Sequence, residues 1–188
     1  FDLVVEGTIP PEIHGAFYRV QPDPQFPPLL GNDIPFNGDG MIAMFSFENG
    51  RVHFRQRWAR TDKWKIEHEA GRSLFGAYRN PLTDDPAAKG TIRGTANTNA
   101  FLHGGRLYAL KEDSPALVMD PDTLETIGYT DFGGRMTGET FTAHPKVDLA
   151  TGDMIGFGYA SKGICTRDMT YYEVAPDGTL KREIWFEI

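Results

Sequence analysis

Apolar residues, many of them aromatic or β-branched, alternate with polar or small ones over short runs along the chain: "MIAMFSF" from Met41, "RLYALKE" from Arg106, "DMIGFGY" from Asp153 and "MTYYEVA" from Met169. Alternation with a period of two sends successive side chains to opposite faces of an extended backbone, so each run predicts a strand. Between the runs stand tight-turn sequences: "ENGR" (Glu48 to Arg51), "HGGR" (His103 to Arg106), "DPDT" (Asp120 to Thr123), "ATGD" (Ala150 to Asp153) and "PDGT" (Pro176 to Thr179). Gly, Asn and Asp tolerate the left-handed backbone that a hairpin turn demands. The prediction is an all-β fold built from hairpins. Helical periodicity is hard to find, and only "DDPAAKG" (Asp84 to Gly90) reads as one helical turn. The stretch "QPDPQFPPLLGNDIPFNGDGM" reads as one long irregular loop of the kind that often serves as a lid or binding loop.

The turns recur at spacings of 55 (Asn49 to Gly104), 48 (Gly104 to Gly152) and 55 (Asp122 to Asp177) positions. A repeat of about 50 residues, each holding two hairpins, fits a propeller blade better than a sandwich strand. The chain would then supply three to four blades of a single propeller domain spanning residues 1–188. A propeller buries its sheet faces only by closing its ring. These residues are therefore expected to be part of a longer polypeptide, and to be unstable alone.

Composition narrows the class. The 188 residues carry a formal net charge of −7, which gives no electrostatic footprint for a nucleic-acid backbone. No apolar run approaches the roughly 18 residues of a membrane span. The start, "FDLVVEGTIPPEIHG", has neither the basic nor the apolar region of a secretory signal. The single cysteine, Cys165, excludes an intrachain disulfide and fits a cytoplasmic location. It reads as a buried small residue. No Walker loop, dinucleotide fingerprint, HExxH, CxxC or GxSxG motif is present.

Of the five histidines, four have structural readings: His14 and His103 precede Gly in turns, His53 lies in an alternating strand, and His68 falls in the charged run "KIEHEAGR". His144, in "FTAHPKVDLATGDM", follows small residues and precedes a proline that cannot donate to a ladder. It is expected at a strand end, where a propeller brings side chains from separate blades together. One histidine cannot hold a metal by itself.

The segment "FTAHPKVDLATGDM" resembles the first iron-ligand segment of the carotenoid cleavage oxygenases, the alkene-cleaving non-haem iron dioxygenases. "IPPEIHGAFYRVQPDPQF", "FNGDGMIAMFSF", "RGTANTNAFLHGGRLYALKEDSPALVMDPDTLET" and "YYEVAPDGTLKRE" resemble further elements of that family in the same order. The resemblance implies a seven-bladed propeller with an axial Fe(II) held by four histidines. It makes His144 the first ligand and puts the other three beyond residue 188. Lys111 stands where carotenoid cleavers more often carry an aromatic residue, and so resembles the lignostilbene and stilbene-cleaving members. There, a Tyr and a Lys bind the phenolic hydroxyl of the substrate, which implies that role for Tyr78 and Lys111. Phe36 resembles the aromatic residue that packs on the substrate ring. Thr98 resembles the threonine near the vacant coordination site, and Glu112 the carboxylate that orients a ligand imidazole. The implied reaction consumes O₂, splits a phenolic stilbenoid at its central C=C bond into two aldehydes, and needs no organic cofactor.

Taken without the resemblance, Tyr78 is a turn residue, Phe36 a core aromatic, Thr98 a loop hydroxyl and Lys111 with Glu112 a solvated charge pair. Two other functions stay open at this point. One is a true carotenoid or apocarotenoid cleaver, for which "FPPLL" is a candidate membrane-facing patch. The other is a non-catalytic or Ca²⁺-dependent propeller, which would want an oxygen-rich cage of which "NTN" and "DPD" are the only traces.

Overall fold

The computed structural model describes residues 2–188. Its described strands form three antiparallel sheets. The first is β1 (Gly15–Pro22), β2 (Gly40–Glu48) and β3 (Arg51–Trp58), in that order. The second runs β4 (Asn99–His103), β5 (Arg106–Leu110), β6 (Leu117–Met119), β7 (Thr126–Tyr129). The third holds β8 (Lys146–Val147), β9 (Met154–Tyr159), β10 (Asp168–Val174) and β11 (Leu180–Glu187), again side by side in chain order. All five turn sequences join neighbouring antiparallel strands. One meandering sheet per unit of about 50 residues is the blade pattern of a propeller.

Alternation along β5 explains why the sheets stack. Leu107 and Ala109 point into a buried cluster with Ile42 and Met44 of the first sheet. Tyr108 and Leu110 point the other way, into a cluster with Phe132, Phe141 and Tyr172. The middle sheet is thus apolar on both faces, and full burial of a large aliphatic side chain such as Leu107 or Leu110 contributes about 1.5–3 kcal/mol. At the turn end of the sheets, His103 Nε2 lies 2.8 Å from the Gly152 carbonyl oxygen and Arg106 Nη1 donates to Asp177 O at 2.7 Å. Gly104, at φ 56°, approaches so closely that an added Cβ would fall 1.9 Å from Pro176 O. Three turns that are far apart in sequence are locked together there.

One element escaped the sequence reading. Asp62–Ala70 form an α-helix, α1, inside the run where His68 stands. Its ends carry ordinary signals: the Thr61 hydroxyl accepts from Trp64 N, and Gly71 leaves the helix at φ 69°. Its buried residues are Lys63, Trp64 and Glu67, so there is no apolar stripe to read. Lys63 Nζ pairs inside with Asp39 (2.9 Å) and Glu67 (2.6 Å). The helical turn expected within "DDPAAKG" is a 3₁₀ turn at Pro86–Ala88, capped by the Asp85 side chain. Residues 23–34 are irregular, as expected, and lead into a 3₁₀ turn at Pro35–Asn37. Cys165 corrects its reading: it is exposed, in the β9–β10 connection, on a left-handed backbone at φ 66° that keeps its side chain out of the core.

Candidate active site

The site grows from the end of β5 opposite the interlocked turns. Leu110 O closes the ladder by accepting from Thr98 N at 3.0 Å, and the chain then turns through Lys111, Glu112 and Asp113. Lys111 is not the solvated charge its sequence context allowed: it is 4% exposed, with Nζ 4.8 Å from the centroid of the Tyr78 ring. That is cation–π contact in a desolvated setting. Glu112 faces the other way, its Oε1 3.4 Å from His144 Nε2.

His144 does not lie on a strand or at the end of one. It occupies a bend two residues ahead of β8. The Thr142 hydroxyl accepts from His144 N at 3.0 Å, which supplies the backbone with a local partner in place of a ladder. Asn99 Nδ2 donates to Ala143 O at 2.8 Å, and Phe141 N donates to Ser114 O at 3.0 Å. Phe141, Thr142 and Ala143 are buried, whereas the His144 side chain is 63% exposed. The bend is clamped to the middle sheet and presents its imidazole outward.

Tyr78 lies in a segment tied down by side chains. Arg93 pairs with Asp84 at 2.5 Å, Asp84 Oδ1 accepts from Gly76 N at 2.8 Å, and Thr83 Oγ1 accepts from Ala77 N at 2.8 Å. Gly76 is packed so tightly that a Cβ would sit 2.3 Å from Thr83 O. Arg79 follows at φ 56°, a left-handed conformation unusual for a side chain of this size. Its guanidinium stacks 5.2 Å over the Tyr159 ring at the end of β9.

Asn97 links the other two expected residues. Its Nδ2 donates to Phe36 O (2.9 Å) and Gly38 O (2.7 Å), and its Oδ1 accepts from Thr98 Oγ1 (3.2 Å). Phe36 is 65% exposed rather than a core aromatic, and among the described residues its ring pairs with no other aromatic ring. Asn37 Nδ2 donates to Gly76 O at 2.9 Å, which ties this turn to the Tyr78 segment. Lys111 and Tyr78 are thus brought into contact, as are Glu112 and His144. Phe36 and Thr98 are held near them through Asn97.

Electrostatics sharpen the site. Burial pushes the Lys111 ammonium below its ordinary pKa, against the pull of Asp113 and then Glu112. Burial raises the Tyr78 phenol, with Asp113 adding to it, so the hydroxyl remains a donor. Asp113 itself is raised by burial. Asp113, Arg79 and Tyr159 were missed from sequence. The first two stand beside Lys111 and Tyr78 in the chain, but nothing local marks them as members of the same cluster.

Among the described residues no three His, Cys, Asp or Glu side chains converge on a point that could hold a metal. His144 fits as a single ligand of a larger set: an accessible imidazole with a carboxylate beside one ring nitrogen is how ligand histidines are oriented.

A family model described as retinal pigment epithelial membrane protein, RPE65, matches residues 1–188. The chain belongs to that family. It is 57% identical over 187 residues to lignostilbene-alpha,beta-dioxygenase isozyme III of Sphingomonas paucimobilis, covering 100% of the chain and 38% of that protein. It is 51% identical over 189 residues to resveratrol cleavage oxygenase 1 of Chaetomium globosum, covering 99% of the chain and 32% of the relative. The crystal structure of Pseudomonas brassicacearum lignostilbene dioxygenase superposes with a TM-score of 0.94 at 51% identity, over 100% of this chain and 39% of that one. The chain therefore spans between about a third and two fifths of the length of these relatives. The RPE65 family relationship agrees with the carotenoid-oxygenase resemblance and with the propeller architecture. Among the described residues no helix is long and apolar enough to cross a membrane.

Proposed function

We propose that residues 1–188 are the N-terminal part of a single seven-bladed propeller domain, an Fe(II)-dependent dioxygenase of the cytoplasm. Its substrates are a phenolic stilbenoid and O₂; the central C=C bond breaks, each carbon gains one oxygen atom, and two aldehydes result. The observation that carries the reading is Lys111, a buried cation against the Tyr78 ring, beside the Glu112–His144 pair. Relatives named for lignostilbene and resveratrol cleavage support the substrate class.

Lys111 and Tyr78 receive the phenolic hydroxyl. Phenols and lysine have similar reference values, about 10 and 10.4, so a desolvated Lys111 accepts the phenol's proton readily. Its ammonium then holds the phenolate while Tyr78 donates a hydrogen bond to the same oxygen. Charge on that oxygen is delocalised through the ring into the alkene, which becomes more nucleophilic. Phe36 offers an exposed ring for packing against the substrate, and Thr98 is the threonine that would stand near the vacant coordination site. Glu112 fixes the tautomer and orientation of His144, one of the imidazoles that would hold the iron. When bound, Fe(II) supplies the activation of O₂, and no organic cofactor is called for.

The test uses the full-length protein with a 4-hydroxystilbene and its 4-methoxy counterpart. Wild type is expected to cleave the first and to act poorly on the second. Lys111→Met should lower kcat for the hydroxylated substrate about 10- to 150-fold, from the roughly 1.5–3 kcal/mol of a charged hydrogen bond. Tyr78→Phe should cost only about 2- to 10-fold. His144→Ala should abolish the iron content. Equal rates on the two substrates, or an unimpaired Lys111→Met enzyme, would overturn the phenol reading in favour of a general carotenoid-type cleaver.

A further inference from the structure

Tyr78 sits in a turn that reaches two sheets at once. Asn80 N donates to Ala77 O at 3.0 Å, which closes a four-residue turn with Tyr78 and Arg79 at its two central positions. The Tyr78 ring meets Lys111 just past the end of β5, while the Arg79 guanidinium lies over the ring of Tyr159, the last residue of β9. Neighbouring side chains of one turn are thus fixed to the second and the third sheet. A left-handed second central position ordinarily takes Gly or Asn, yet here it is an arginine at φ 56°. A large side chain held in that region, next to a residue of the site, is a cost that the surrounding structure must impose.

The contacts of Arg79 show what holds it. Among the described residues no carboxylate lies within 4.0 Å of its guanidinium, so no ion pair accounts for its position. To one side is a cavity of about 410 Å³ that Arg79 lines with Tyr159 and Asp113. The partner that remains is Tyr159: the guanidinium stands 5.2 Å from the ring centroid, and Nη1 donates to the hydroxyl at 3.4 Å, a long hydrogen bond. A planar cation stacked on an aromatic face is an arrangement arginine favours, and its geometry fixes the turn that carries it. On the other flank of Tyr78, Gly76 N and Ala77 N are held by Asp84 and Thr83. The Arg79 flank is held by the third sheet.

We infer that Arg79 and Tyr159 form a clamp that holds the Tyr78 ring against Lys111, which makes both of them positioning residues for the phenol site. The catalytic consequence rests on the substrate reading above; the clamp itself belongs to the protein without substrate. Loss of the clamp frees the turn and lets the Tyr78 ring leave the Lys111 ammonium. An amine that is 4% exposed in the clamped arrangement is then uncovered.

The experiment is acetylation of the full-length protein with acetic anhydride, followed at the Lys111 peptide by mass spectrometry. Arg79→Gly is the main variant, because glycine accepts the left-handed backbone and the change removes only the side chain. Lys111 should be labelled at least about threefold faster than in wild type, since labelling follows the population in which the ring has left the amine. Tyr159→Leu, which leaves the Arg79 charge in place, should give the same increase, and the two changes together no more than either alone. Tyr159→Phe keeps the aromatic face and should stay within about twofold of wild type. On the 4-hydroxystilbene, Arg79→Gly should lower kcat/KM about 2- to 10-fold, as loss of the Tyr78 hydrogen bond does, and should add nothing to Tyr78→Phe. Unchanged Lys111 labelling in Arg79→Gly would overturn the inference. So would a gain in Arg79→Gly without one in Tyr159→Leu, which assigns the effect to the lost charge, or a gain shared by every lysine, which marks general loosening. A wild type inactive on 4-hydroxystilbenes would sink the substrate reading, while the labelling result would still decide the clamp.

Discussion

Tyr172 shows how much a single side chain is asked to do. It is fully buried in the core between the second and third sheets, and its hydroxyl donates to Thr140 O at 3.1 Å, just ahead of the bend that carries His144. Gly138 leaves room for it, since a Cβ there would stand 2.1 Å from that hydroxyl. Burial pushes the Tyr172 phenol up to about 12. The folded state therefore holds its proton where the unfolded chain, with a value near 10, has lost it. Between roughly pH 10 and 12 the folded form binds more protons, so stability falls as pH rises through that window. Tyr108 and Tyr129 are also raised by burial and act in the same direction. In denaturant titrations of the full-length protein, Tyr172→Phe should cost about 1 kcal/mol at pH 8, the worth of one buried hydrogen bond. It should also flatten the alkaline decline without removing it. A decline as steep as wild type would mean that Tyr172 is not one of its sources.

At the scale of elements, α1 is a support for the site rather than a part of it. Lys63 satisfies Asp39 and one oxygen of Glu67; the other oxygen of Glu67 accepts from Leu74 N (2.7 Å) and Phe75 N (3.1 Å). Those two backbone groups begin the segment that leads to Tyr78. The network is closed, with every charge partnered, which is the condition under which buried ions are tolerated. Removing one member leaves the others uncompensated. Lys63→Met should destabilise the full-length protein by about 3–5 kcal/mol, visible as a large drop in thermal midpoint. Thr61→Ala, which only removes the cap from Trp64 N, should cost about 1 kcal/mol. Similar losses for the two variants would mean that the ion network contributes no more than a helix cap.

Across the whole molecule, structural and chemical functions sit at opposite ends of the middle sheet. The turns around Gly104, Gly152 and Asp177 interlock at one end; Lys111 and its neighbours emerge at the other, past the five residues of β5, about 17 Å of extended chain. This separation makes a prediction about Gly104→Ala. Its left-handed φ and the 1.9 Å approach to Pro176 O leave no space for a methyl group, so the two hairpins must part. Stability should fall by at least about 1–2 kcal/mol, from the left-handed penalty alone. The kcat/KM per folded molecule on a 4-hydroxystilbene should stay near wild type. A selective loss of activity without loss of stability would show that the two ends are coupled.

What the amino-acid sequence determined by itself is the local backbone: the runs of period two, the five hairpin turns and their spacing of about 50 residues, which agree with the strands and sheets observed. These are legible because strand alternation and turn conformation depend on residues a few positions apart. Pairing Lys111 with Tyr78, and giving Glu112 a ligand imidazole to orient, came from the family resemblance; that the imidazole beside Glu112 is His144, and that Lys111 lies over the Tyr78 ring, is seen only in the fold. The remainder was decided by tertiary contacts. Helix α1 stayed hidden because its inward residues include Lys63 and Glu67, whose burial makes sense only once Asp39 closes the network. Lys111 looked solvated because the aromatic ring over it is 33 positions away. Asp113 meets Arg79 and Tyr159 only in the cavity that the three line together, and Cys165 is exposed in a turn with a left-handed backbone. Burial and electrostatic environment are sums over neighbours in space, and a chain read in one dimension does not contain that list until it folds.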